Sequence, residues 1–223
     1  MRTETTIVPE HIVTTTYYRY DELSDDVKEQ VKVWYTEHFR WTDYFSDCVK
    51  QDLENILGKN NLDVQYSLGH SQGDGLNIYG KIDAKRILDF MGSDVTGELS
   101  RKYADVLTED EKNVIRGYCE FDNGYWHDFG MIDVPKNKYH YSFCVADGID
   151  IADSWYGEME YFELDCNYGL LKKFEDAVIS LFTELCRMYE EWGYKYFYEV
   201  SDEEMIDICD ANGWEFDEDG NLL

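Results

Sequence analysis

The chain is predicted to form one α+β domain over residues 1–223, with helices packed on a mainly antiparallel β-sheet. Three observations carry that prediction. Two segments of period-two alternation, Leu62 to Leu68 and Leu76 to Ile82, follow one another with only a glycine-rich stretch between them. Several other segments repeat apolar residues at three- and four-residue intervals, as helices do. Only two prolines, Pro9 and Pro135, interrupt the chain, and no low-complexity linker or internal repeat divides it. With 43% hydrophobic and 16% aromatic residues it holds more apolar surface than a disordered acidic chain leaves in water.

The elements follow in order. His11 to Tyr20, β-branched and aromatic, reads as a strand. Ser24 then stands where a helix cap belongs, with Asp25 and Asp26 in the first turn and an apolar stripe of Val27, Val31, Trp34, Tyr35 and His38 or Phe39. Thr42 is expected to cap a second helix whose stripe is Phe45, Cys48, Val49, Leu53, Ile56 and Leu57, ended by Gly58. After the two strands come short helices over "DAKRILDFMG" and "LSRKYADVL", and another opened by the capping box Thr108 with Glu111. Repeated aromatics and turn pairs from Tyr118 to Tyr168 predict an antiparallel meander. The longest helix is expected from Leu170 to Tyr189 or beyond, lying across the sheet on Phe174, Val178, Leu181, Leu185 and Met188. The acidic segment 201–223 forms a subelement: a short helix opened by Ser201 with Glu204, closed near Gly213, then a terminal strand and turn.

Charge narrows the function classes. The 48 Asp and Glu against 20 Lys and Arg leave a net −28, where a magnitude of about 2 to 8 keeps a small domain soluble. Such a field repels nucleic acid and anionic membranes and attracts basic surfaces, so direct nucleic-acid binding is not expected, whereas a basic protein partner is. No window approaches the roughly 18 apolar residues that cross a bilayer, and no leader pattern opens the chain, so a soluble cytoplasmic protein is expected. The six cysteines form no CxxC pair and read as reduced, mostly buried thiols.

Three stretches hold site-forming residue types. In "GHSQGDGLNIYG", residues 69–80, His70, Ser71 and Asp74 are the residue types of a hydrolytic triad, yet triad members normally come from separated segments. A strand follows this stretch rather than a helix, so it is not a phosphate loop. Its reading is therefore a structural turn built by His70, Ser71, Gln72, Gly73, Asp74 and Gly75, with a ligand loop as the alternative. Glu215, Asp217, Asp219 and Gly220 match the first half of a calcium loop but lack its closing glutamate, and His11, His38, His70, His127 and His140 are dispersed; no metal and no cofactor are expected. Lastly, Glu203, Glu204, Asp207 and Asp210 recur at helical spacing and Glu215, Asp217, Glu218 and Asp219 follow, a row of carboxylates that could stand in for phosphates to a basic partner.

The stretches "YDELSDDVKEQVKVWY", "YSLGHSQGDGLNIYG" and "YEVSDEEMIDICDANGWEFDEDGNLL" together resemble a family of small bacteriophage proteins with a central SQGDG motif and an acidic closing EFxEDG segment. The resemblance implies expression in the cytoplasm of an infected bacterium and carries no activity with it. Joined to the charge, it leads to the expectation of a non-enzymatic inhibitor of a host nucleic-acid-directed defence, of anti-CRISPR or antirestriction type. Its partner would be a basic nuclease effector. The alternatives are a small phage enzyme or ligand-binding protein using the 69–80 loop, and a structural, self-associating phage protein; oligomeric state is left open.

Overall fold

The computed structural model describes residues 1–8, 11–71, 73–92, 97–120, 130–136 and 148–223. Its elements in chain order are strands β1 (Arg2–Val8) and β2 (His11–Tyr17), helices α1 (Asp25–Phe39) and α2 (Thr42–Leu57), strands β3 (Asn61–Ser67) and β4 (Gly75–Asp83), helices α3 (Ala84–Gly92), α4 (Glu98–Ala104) and α5 (Glu109–Cys119), strand β5 (Met131–Val134), and helices α6 (Ala152–Tyr161), α7 (Tyr168–Tyr198) and α8 (Asp202–Asn212). The chain is α+β and its described strand pairs are all antiparallel. They form two small sheets, β1-β2 and β3-β4-β5. The contacts gather into two compact units: Met1–Tyr44 with Trp192–Leu223, and Phe45–Glu191.

In the first unit the core is Tyr20, Leu23, Val31, Met205, Cys209 and Phe216, all buried, with Val27, Trp34, Tyr35 and Trp214 packed on it. The apolar stripe of α1 and the Met205–Cys209 face of α8 meet there, one i,i+4 face against another. The tail closes the unit. Tyr18 and Phe216 exchange both backbone hydrogen bonds at 2.9 Å, and Phe216 also bridges Leu222, so isolated antiparallel bridges stand where a terminal strand was expected. Gly220, at φ +85°, lets the final turn lie on α1, since a Cβ there would stand 2.8 Å from Val27 Cγ1.

In the second unit β3 and β4 pair from Asn61↔Lys81 to Ser67↔Gly75, and β5 adds to β4 with Ile82 opposite Ile132. Gly80 is required by this pairing: at φ +125° its Cβ would sit 2.3 Å from the Asn61 carbonyl oxygen. Helix α7 buries Leu171, Phe174, Val178, Leu181, Phe182 and Leu185, and Cys186 shares a hydrogen bond with the Ile78 backbone, which places α7 on the sheet as expected. Its stripe is wider than the sequence reading because α7 also meets other helices, and Met188, assigned to that stripe from the sequence, is exposed. Tyr189 donates to Asp52 of α2 at 2.8 Å, Tyr103 of α4 donates to Glu184 at 2.9 Å, and Glu175 accepts from the Ile151 and Ala152 amides at the start of α6.

Four further points differ from the sequence reading. Strand β1 was not anticipated; its β-branched run and that of β2 flank Pro9-Glu10 rather than an Asn-Gly type pair, so the hairpin signal was weak. Helix α2 begins at Thr42, which is therefore helical rather than a cap. Ser24 occupies the cap position of α1 without a side-chain bond. The region 118–168 is not a meander throughout: it contains β5 and the ten-residue helix α6, held by the Glu175 carboxylate, while 121–129 and 137–147, with the Asn123-Gly124 turn, His127, His140 and Cys144, lie outside the described residues.

Candidate functional site

The 69–80 stretch leads out of the turn that follows β3, and from residue 75 onward it belongs to β4. Asp74 accepts from Ser71 N at 2.7 Å, Ser71 Oγ at 2.8 Å and Ser67 Oγ at 2.7 Å. These bonds, led by the Ser71 amide and the Ser67 hydroxyl and joined by one from the Gly69 amide, outweigh the opposing effect of burial and hold the Asp74 carboxyl down to about 2. His70 takes a left-handed φ of +56°, Gly73 one of +95° and Gly75 one of +156°, the positive-φ backbone that a tight connection between strands demands. Gln72 lies outside the described residues. Ser71 and Asp74 are thus bonded to each other, and the turn itself accounts for both side chains.

The eight acidic residues singled out from the sequence divide into two groups. Glu204 pairs with Arg40 Nη2 at 2.5 Å, and Glu215 with Arg2 Nη2 at 2.7 Å. Asp217 accepts from the Asp219 and Asn221 amides at 3.0 and 2.9 Å and from Asn221 Nδ2 at 2.9 Å, which organises the terminal turn and holds its carboxyl below the ordinary value. These hydrogen bonds close the turn. Glu203, Asp207 and Asp210 line the exposed side of α8, and Glu218 and Asp219 lie exposed in the turn beyond. None of these five carboxylates has a cationic partner among the described residues.

Pairing also explains a half-formed cap. Ser201 Oγ accepts from Glu204 N at 3.1 Å, but the Glu204 carboxylate turns to Arg40 instead of returning to the cap amide. At Thr108 and Glu111 both bonds of the box are present. Asp202, which the sequence did not single out, is committed as well: Lys32 reaches it at 2.7 Å and the Tyr20 hydroxyl donates to it at 2.8 Å, so its carboxyl is lowered.

A groove of about 620 Å³ lies in the same unit, between α1 and the last residues of α7, with the 199–204 turn at one end. Sequence reasoning missed it. The signal was there: Glu29, Lys32, Val33, Thr36 and Arg40 recur at three- and four-residue steps, on the side of α1 opposite Val27, Val31 and Trp34. The other wall is Trp192, Lys195, Tyr196 and Tyr198. Arg40 lies between two rings, 5.2 Å from the Tyr35 centroid and 4.9 Å from that of Tyr196, while Glu204 takes its terminal nitrogen. Its Nε is buried and has no hydrogen-bond partner among the described residues, so the ring faces and one carboxylate hold the guanidinium. Lys32 is shared between Glu29 and Asp202, each at 2.7 Å. Around the groove stand exposed apolar groups: Val33 at 55%, Trp192 at 37% and Tyr198 at 50% exposure.

Among the described residues no three His, Cys, Asp or Glu side chains gather to hold a metal ion, and no helix is long and apolar enough to cross a membrane. Five of the cysteines are free thiols, with Cys186 and Cys209 buried; burial raises them to about 12 and about 11, far from thiolate reactivity. No family model, curated protein or solved structure matches this chain.

Proposed function

We propose that this protein acts by binding rather than by catalysis, presenting its C-terminal carboxylates to a basic, nucleic-acid-binding surface of a partner protein. One observation carries the reading: the fold pairs its cations with Glu204, Glu215 and Asp202 and leaves Glu203, Asp207, Asp210, Glu218 and Asp219 exposed, with no cationic partner among the described residues. On α8 those like charges stand three and four residues apart, where they destabilise a helix by about 0.2–0.5 kcal/mol per pair unless a cation relieves them. The unit that contains them holds 19 acidic against 6 basic side chains, a net −13. In this reading the protein is a phage-encoded inhibitor of a host nucleic-acid-directed defence, and it blocks a nuclease effector in the bacterial cytoplasm by occupying the nucleic-acid site.

Affinity purification from infected cells, followed by competition with an oligonucleotide, tests it. The captured partner is expected to release when nucleic acid is added, and binding should weaken at least tenfold between 50 and 300 mM salt, conditions chosen to span the screening range. Glu203→Gln, Asp207→Asn and Asp210→Asn combined should weaken it further, each exposed pair contributing about 0.2–1 kcal/mol. Salt-independent binding, or a triple variant that binds as the native chain does, overturns the reading.

A second reading rests on Asp74 and Glu190. Burial raises the Glu190 carboxyl and the Asp74 charge adds to the rise, while Asp74 itself is held low, so two neighbouring carboxyls are pushed apart as acid and base groups often are. Loss of function in Ser71→Ala with the fold intact would favour this ligand-loop reading over the acidic surface.

A further inference from the structure

We propose that the groove between α1 and the end of α7 seats a basic segment of the partner protein, its Lys or Arg side chains lying on the exposed rings of Trp192 and Tyr198. This rests on the reading of the protein as a binder of basic surfaces, and it adds a second, apolar contact to the charged one. The volume, about 620 Å³, falls within the range of pockets that bury a ligand of several side chains' bulk, about 300–1,000 Å³ for drug-sized molecules. Trp, Tyr and Arg are the residues that dominate interface energetics, and the groove combines Trp192, Tyr198 and Tyr196 with Arg40.

Charge selects the occupant. Of the three cations that line the groove, Lys32 and Arg40 are already paired with Glu29, Asp202 and Glu204. Glu29, Glu199 and Glu204 in the same lining balance them and Lys195, so the groove offers little to an anion. The surrounding unit carries a net −13, which repels a nucleic acid and equally a second copy of this chain. A cationic segment is drawn in by that field, and it finds ring faces of the kind Arg40 already uses 4.9 Å from Tyr196. Glu199, at the end of the groove, and Glu203 just beyond it on α8 can pair with its flanking charges.

The test uses a fluorescently labelled twelve-residue peptide of alternating Arg and Ala, titrated by anisotropy into the full chain and its variants. Trp192→Ala with Tyr198→Ala should raise Kd about tenfold without altering the salt slope, because it removes ring contacts and not charge. Val33→Arg, at an exposed position of the opposite wall, should weaken binding as much with the fold undisturbed. The combined Glu203→Gln, Asp207→Asn and Asp210→Asn variant should instead flatten the salt slope. If both groove variants bind within twofold of the native chain while the charge variant is impaired, the groove is overturned and the acidic-surface reading stands. If the peptide fails to bind the native chain at 50 mM salt, both fall.

Discussion

At Asp74 the carboxylate receives hydrogen bonds from Ser67, Ser71 and the Gly69 amide, all within the turn that it stabilises. A carboxyl held at about 2, against about 3.9 in an unfolded chain, adds stability at every pH above the unfolded value and loses it as pH falls from about 4 toward 2. Asp74→Asn should therefore lower the melting temperature at pH 7, and thermal scans should show the gap closing below about pH 4. An unchanged melting temperature at pH 7 would remove the structural account of this turn. The residue types were legible in the sequence and so was their role as a turn, because the bonds join residues no more than seven apart. Arg40 is the opposite case: its ring partners are Tyr35 and Tyr196 and its acid is Glu204, and no local pattern announces a guanidinium held from so far along the chain.

Helices α3, α4 and α5 meet at one buried lysine. Lys112 of α5 is 3% exposed and donates to the Met91 carbonyl at 2.9 Å, the Ala104 carbonyl at 3.1 Å and Glu109 at 2.8 Å. Two of those acceptors are orphan carbonyls at helix ends, which otherwise need water or a cap. Lys112→Met should cost about 1–3 kcal/mol in urea unfolding, the typical cost of leaving a buried polar group unsatisfied. Glu109→Gln, at an exposed partner, should cost clearly less than the Lys112 substitution. A lysine with no local cue to its burial explains why this junction was not read, whereas the helices around it were: their stripes, the Thr108–Glu111 box and the glycine stops are local signals. Helix α6 was missed because aromatic, turn-rich sequence also suits strands, and its start is held by Glu175 of α7 rather than by a cap of its own.

For the whole molecule, a net −28 acts on stability and binding with opposite signs. Self-repulsion strains the compact state, and salt screens it within about 8–10 Å. Raising NaCl from 20 to 300 mM, concentrations chosen to cross that range, should raise the melting temperature while it weakens any basic partner. A melting temperature that falls with added NaCl would show that internal ion pairs outweigh the repulsion. The ion pairs that fold the acidic tail back, Arg2 with Glu215 and Arg40 with Glu204, join opposite ends of the chain and concentrate the remaining unpaired charge on one face of α8 and the turn after it.

The sequence by itself determined the α+β class, the placement of most helices, the β3-β4 hairpin with its turn, and the acidity, because periodicity, caps, turn residues and charge are properties of neighbouring residues. Only the tertiary structure decided which carboxylates are paired, that the chain gathers into two compact units, and that α1 offers a second face to a groove. The physical reason is range: Arg40 meets Glu204 across 164 residues and Arg2 meets Glu215 across 213, and pairings at such separations are set by packing rather than by local pattern.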